Sequence, residues 1–410
     1  MEEVKRILLS ANLYELVAAW ARARLKRQRI LRGGKTSRET MAPSILILSH
    51  PEDIHAHAVA RALERKGAEA SVWYTSDYPM KSCETFRAGN AGVHFALDGT
   101  AGKAEFEQVR VVWNRRPTYL LDDQLLHPAD RDYAQICCRQ FRMTLIDALA
   151  PGAFWINPPN SEQRCSKMRQ QIVAQETGIR IPETIYSNDP AEIARFIRSH
   201  GGAVVYKSIV ASRPWQGDDR CWQLFTSIVT EDNLVDGEIL RLTPGIYQEV
   251  VPKEFELRIN IVGNRCFAAR VESQKTTTGK LDWRRSYHEV EMTPFGLPAK
   301  IEAQCRAMLA RFNLVFGTFD LIVTPEGEFV FLEINQMGQF LFVERYTKQP
   351  LLNALCEMMI QGSEEYDDSS PMVSYGEILG ESEEAVKVSS ASHVVIPNLI
   401  WDERAGVLES

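Results

Sequence analysis

Gly317-Thr318-Phe319-Asp320-Leu321-Ile322 and Phe331-Leu332-Glu333-Ile334-Asn335 read as two strands joined by a hairpin turn, Thr324-Pro325-Glu326-Gly327-Glu328. Such a pair sets Asp320 and Glu333 toward facing positions, and Asn335 falls two residues later on the same face because strand side chains alternate. Three oxygen donors converge. Magnesium, a hard cation, favours oxygen ligands and keeps its other positions for water and phosphates. The neighbours Phe319, Leu321, Leu332 and Ile334 are apolar, and inward carboxylates without a cation are unfavourable, so a metal site is preferred to solvated strand carboxylates.

Working outward, Glu256-Leu257-Arg258-Ile259-Asn260-Ile261-Val262 puts Glu256, Arg258 and Asn260 on one face and apolar residues on the other. That polar face is expected to line a cleft. Tyr247-Gln248-Glu249-Val250-Val251-Pro252-Lys253 is an apolar strand running into a linker, where Glu249 and the backbone of Val250 and Val251 suit an adenine edge and Gln248 adds a polar contact. Lys207 ends the apolar run Val204-Val205-Tyr206, and Lys167 opens a helix after Asn157-Pro158-Pro159. An ammonium is a compact charge suited to phosphate oxygens, whereas a lone surface lysine is ordinary; each signal is weak alone.

Earlier in the chain, Ile45-Leu46-Ile47-Leu48, a helix carrying Val59 and Leu63, a strand from Ala70 to Tyr74 and the apolar run Val109-Arg110-Val111-Val112-Trp113 make a parallel α/β unit. Later strands alternate as in an antiparallel sheet. The expected order is a basic helical extension over 1–43, an α/β domain over 44–150, a central subdomain over 151–225 and a C-terminal domain with the metal site over 226–362. An acidic flexible tail is expected over 363–410, from its Glu, Asp, Ser and Gly content. Within the extension, Leu13, Leu16, Val17 and Trp20 share one stripe ahead of a run of arginines.

The order Lys167, Lys207, Gln248-Glu249, Glu256-x-Arg258, Asp282-Trp283-Arg284, Asp320, Glu333-x-Asn335 resembles the ATP-grasp superfamily over about residues 44 to 362. Val112-Trp113-Asn114-Arg115-Arg116-Pro117, Asp282-Trp283-Arg284 and Asn335-Gln336-Met337-Gly338-Gln339 are similar to the graspetide, or microviridin-type, peptide ligases. The resemblance implies an α/β (α+β) ATP-grasp fold and an ADP-forming ligase that uses ATP and Mg2+. It also implies that Lys167 and Lys207 hold ATP phosphates, that Gln248, Glu249, Val251 and Glu256 belong to the nucleotide site, and that Asp320, Glu333 and Asn335 bind magnesium. Arg258, Arg284 and Lys207 would act on the transferred phosphate. The implied substrate is a ribosomal precursor peptide, a leader plus an acidic core, tied through Asp or Glu to Ser, Thr or Lys as macrocyclic esters or amides. One departure stands out: the loop Ser212-Arg213-Pro214-Trp215-Gln216-Gly217-Asp218-Asp219, at the place of a glycine-rich lid, has one glycine.

Other classes are narrowed by composition. The 410 residues are 45% hydrophobic and 25% charged, which is ordinary for a globular chain, and a net charge of −7 argues against a nucleic-acid partner. The eight cysteines form no C-x-x-C pair, against a zinc site, and a charged start and the lack of a long apolar run point to the cytoplasm without stable membrane insertion. A homodimer stays open. Two rivals share the nucleotide residues: an ATP-grasp ligase acting on an amino acid or small peptide, and a nucleotide-binding regulatory protein without turnover.

Overall fold

The computed structural model describes residues 40–41, 44–100, 102–105, 109–117, 125–209, 215–217, 220–222, 225–286, 289–380, 400–402 and 407–409. The basic helical extension expected over 1–43, apart from residues 40–41, residues 212–214 and 218–219 of the lid loop and most of the tail beyond 380 lie outside them.

The first unit is a parallel sheet in the order Ala70–Tyr74, Ile45–Ser49, Val111–Asn114, Phe154–Ile156. Every residue of Ile45–Ser49 is buried, which explains its unbroken apolar reading. Helix Ile54–Arg65 is capped by Asp53, whose side chain accepts from the His55 amide. Strand Phe154–Ile156 carries this sheet past the expected boundary at 150.

The central unit is antiparallel, ordered Ser227–Val229, Val204–Lys207, Gly245–Gln248, Thr184–Ser187. Gly245–Gln248 pairs inside it, so a division at 225 would cut through this sheet. The third sheet is also antiparallel: Met292–Pro294, Arg265–Val271, Phe255–Val262, Phe316–Val323, Phe329–Asn335. One apolar face of it packs on helix Ala299–Phe312 and on Val173 and Ala174 of helix Lys167–Glu176. The other face carries Glu256, Arg258, Asn260, Thr318 and Asp320, while Val262, Ala269 and Phe316 on it join the core of the first unit.

Residues 363–380 depart from the flexible tail expected of them. Tyr366, Val373, Tyr375 and Ile378 are buried in the same core as Ile45, Val59 and helix Leu351–Gln361. The acidic and serine side chains that suggested solvation are partly consumed in contacts: Ser369 and Ser370 bond to Glu357, and Glu357 pairs with Lys66 at 2.8 Å with both side chains buried. Asp368 in turn pairs with Arg265 at 3.2 Å. A strap thus joins the first unit to the third.

Candidate active site

Sheet register builds the site. Arg258 lies opposite Asp320, and Asp320 opposite Glu333, so three charged residues form a row across three adjacent strands. The next row along that face is Asn260, Thr318, Asn335, in which Thr318 Oγ1 donates to Asn260 Oδ1 at 2.8 Å. Between the rows and the turn, the pairing skips Leu332, a β-bulge. Phe331 stays in the core with Phe319 and Leu321, whereas Leu332 packs with Val251, Ile322 and Val330, and Glu333 faces Asp320. The bulge therefore seats an apolar wall beside the carboxylates.

Helix Lys167–Glu176 is bonded to that strand by one amide. Gln170 Oε1 accepts from the Ile334 amide at 2.8 Å, and its Nε2 donates to the Ile334 carbonyl at 3.0 Å. Lys167, one turn before Gln170, donates to the Ser208 carbonyl at 3.1 Å, next to Lys207. Both lysines act on Glu333. Burial alone would raise the Glu333 carboxyl, but Lys167, Arg284 and Lys207 outweigh it and hold it below its ordinary value. Asp320 moves the other way, raised by burial and by Glu333 against the opposing pull of Arg258. Arg258 Nη1 donates to both Asp320 oxygens at 2.8 Å, and its Nη2 to the Gln339 carbonyl at 3.3 Å.

Two carboxylates face one another across adjacent strands, and burial resists the ionisation of Asp320 despite the guanidinium beside it. A divalent cation fits that donor set. Asn335 is less committed: it is exposed, and its Oδ1 accepts from the Met337 amide at 3.1 Å.

The remaining expected residues fall around the row. Arg284 is locked to Asp282 by two bonds of 2.7 Å while half of its side chain stays exposed. Arg285 sits in the 3-10 turn Trp283–Ser286 and donates to the Thr226 carbonyl at 2.9 Å. Glu256 is buried and accepts from Lys253 at 3.1 Å; burial raises its carboxyl. Gln248 is buried and donates to Thr184 Oγ1 at 2.9 Å, which turns its amide to a structural task. Glu249 pairs with Arg180 at 3.3 Å, and Val251 is buried in the apolar wall. Sequence reasoning missed Gln170 and Tyr186, whose hydroxyl burial pushes up to about 12 with Glu333 adding to the rise. Gln170 lies one helical turn after Lys167, a spacing that carries such a signal.

Residues 44–163 match the family model of the MvdD pre-ATP grasp domain. A ribosomal-peptide-associated ATP-grasp ligase of Chryseobacterium gregarium, solved with ADP and a leader and core peptide, is 25% identical, with a TM-score of 0.71 over 80% of this chain and 99% of that one. Macrocyclase MdnC of Microcystis aeruginosa, solved with precursor peptide MdnA, is 28% identical, with a TM-score of 0.68 over 78% of this chain and 100% of that one. Macrocyclase MdnB of the same organism is 28% identical, with a TM-score of 0.64 over 77% of this chain and 98% of that one. No curated protein matches the chain.

Proposed function

We propose that this chain, an ATP-grasp ligase similar to the graspetide maturases, activates Asp or Glu side chains of a ribosomal precursor peptide with ATP. It then closes them onto Ser, Thr or Lys as ester or amide cross-links. The observation that carries the reading is the row of Arg258, Asp320 and Glu333, with Lys167 and Lys207 turned on Glu333. Similarity to ligases solved with leader, core or precursor peptides supports a peptide substrate.

In this reading Val251, Ile322, Val330 and Leu332 cover the base, and the backbone beside Glu249 meets its polar edge. Lys167 and Lys207 hold phosphate oxygens. Asp320, Glu333 and Asn335 hold magnesium, which supplies positive charge against the nucleotide phosphates when bound. A peptide carboxylate oxygen attacks the γ-phosphorus, the bond to the β-phosphate oxygen breaks, and ADP leaves. The resulting acyl phosphate is attacked at its carbonyl by a hydroxyl or amine, which gives up its proton as phosphate departs. Arg284, anchored by Asp282 with its exposed half toward the cleft, meets the acidic peptide or the transferred phosphate; Arg258 keeps the row aligned and shares that charge. An acidic core suits these arginines, and association as a homodimer is compatible with the reading.

The cytoplasm is the proposed setting. Cys83, Cys137, Cys138, Cys165, Cys266, Cys305 and Cys356 are free thiols, and among the described residues no helix is long and apolar enough to cross a membrane.

Co-expression with a candidate acidic precursor tests the function. Each closure removes one water from the peptide mass, and unchanged mass across a panel of Ser-, Thr- and Lys-containing acidic peptides would overturn the reading. A pH profile tests the phosphate role of Lys207. Burial pushes its ammonium down to about 8, partly opposed by Glu333. The charge is therefore present below that pH and lost above it, and kcat/KM for ATP is expected to fall as pH rises through about 8. Lys207→Arg, which stays protonated, should flatten that fall even if the rate is lower.

A further inference from the structure

The turn that follows Asn335 is gripped by side chains from outside its own sheet. Asn157 donates to the Gln336 carbonyl at 3.2 Å, and the same amide bridges Val315 and Phe316. Arg115 Nη1 donates to the Gly338 carbonyl at 3.3 Å, and Arg258 bonds the next carbonyl, Gln339. His55 Nε2 accepts from the Phe340 amide at 3.2 Å and lies 3.5 Å from the Leu341 amide. Asp53 braces the group, taking Ser49 Oγ at 2.8 Å, the His55 amide at 3.1 Å and Arg115 Nε at 3.1 Å.

Three features make this more than ordinary packing. Arg115 is wholly buried and bonds both to Asp53 in its own unit and to a backbone carbonyl next to the magnesium strand. His55 must present a lone pair at Nε2 to receive an amide proton, so its proton sits on Nδ1, 3.7 Å from Asp53 Oδ1. Burial and Arg115 keep that ring neutral, as the acceptor role demands. Last, Gly338 has no room to drift, since a Cβ there would lie 1.8 Å from Thr318 Oγ1, and Thr318 stands in the row beside Asp320 and Glu333.

We propose that His55 and Arg115, braced by Asp53, are positioning residues for the ligase reaction: from the first α/β unit they set the turn Gly338 to Leu341, and through it the Asn335 end of the carboxylate strand. Neither touches the nucleotide or the peptide in this role. The proposal rests on the ligase reading above, and gives the first unit a part in catalysis.

The test compares the full chain with His55→Leu, which keeps bulk and removes the acceptor, His55→Gln, whose amide oxygen reaches near the Nε2 position, and Arg115→Met. Three quantities are read: kcat for ADP release with an accepted peptide, the magnesium concentration at half-saturation of AMPPNP binding, and hydrogen exchange at the Phe340 and Leu341 amides. His55→Leu and Arg115→Met are expected to lower kcat at least about tenfold and raise the magnesium requirement by several-fold, with a KM for peptide within about twofold. Exchange at the two amides should rise in His55→Leu, and His55→Gln should recover most of both losses. Turnover and magnesium dependence unchanged in His55→Leu and Arg115→Met would overturn the proposal. So would losses in His55→Gln equal to those in His55→Leu, or losses that track melting temperature alone. A different failure, no magnesium-dependent nucleotide binding by the unaltered chain, would overturn the ligase reading and the positioning role with it.

Discussion

Glu333→Gln is expected to abolish magnesium-dependent ADP release while leaving a folded protein. The carboxylate is the acceptor on which Lys167, Lys207, Arg284 and Arg258 all act, and its partner across the strands is Asp320. The amide keeps the size and removes the charge. Under the proposed function, exchanging this carboxylate for an amide removes a ligand from a hard cation and leaves the cationic groups repelling one another where the nucleotide should sit. A loss of at least about a thousandfold in kcat/KM corresponds to roughly 4 kcal/mol of transition-state stabilisation, within the range known for removing one preorganised electrostatic group. Folding should survive, because Ile334 remains bonded to Gln170 on both its amide and its carbonyl. Turnover at the unaltered rate in Glu333→Gln, measured by coupled ADP detection, would remove the metal role from this pair.

A stop after Gly362 is expected to yield aggregated protein, and a stop after Gly380 to yield a soluble chain that retains every contact of the strap. The shorter chain lacks Tyr366, Val373, Tyr375 and Ile378, each exposed by less than a tenth. At about 1.5–3 kcal/mol for each large apolar side chain removed from water, the loss rivals the roughly 5–15 kcal/mol that holds a domain folded. It also strips Ser369 and Ser370 from the buried Lys66 and Glu357 pair and the Tyr375 amide from Glu344. A single-atom version tests the same strap. Gly263 has φ of +50°, and a Cβ on it would lie 2.2 Å from the Glu364 carbonyl oxygen, so Gly263→Ala should lower the melting temperature markedly. Equal solubility and melting for the two truncations would show the strap to be dispensable.

These results separate what sequence could reveal from what it could not. The alternation in Glu256 to Val262 was legible, and register then set Arg258 against Asp320 as a strand pairing should. Helix Ala299–Phe312 carries its own boundary signals, Pro298 at its start and Asn313, in the left-handed region, at its end. The Leu332 bulge was not legible: strict alternation cannot announce that two neighbours, Leu332 and Glu333, both lie on the cleft side. The strap was misread because composition averages over position. Its four buried residues are widely and irregularly spaced among Glu, Asp and Ser, and what makes them core is a surface supplied by helix Leu351–Gln361 and helix Ile54–Arg65, far away in sequence. The bonds of His55 to Phe340 and of Arg115 to Gly338 join residues more than two hundred positions apart, beyond any local pattern. Motif order pointed to Arg115; nothing local pointed to His55.

The strap has a consequence for how the chain is made. The apolar side of the first sheet and its helix, Ile45, Val59 and Leu63 among them, is completed by Leu351 to Met359 and by Tyr366 to Ile378. During vectorial synthesis that surface leaves the ribosome long before its covering does, so the first unit waits half-built on the nascent chain until about residue 380 has emerged. The first unit completes its core only after the end of that strap is translated, and the exposed intermediate is where a chaperone would engage it.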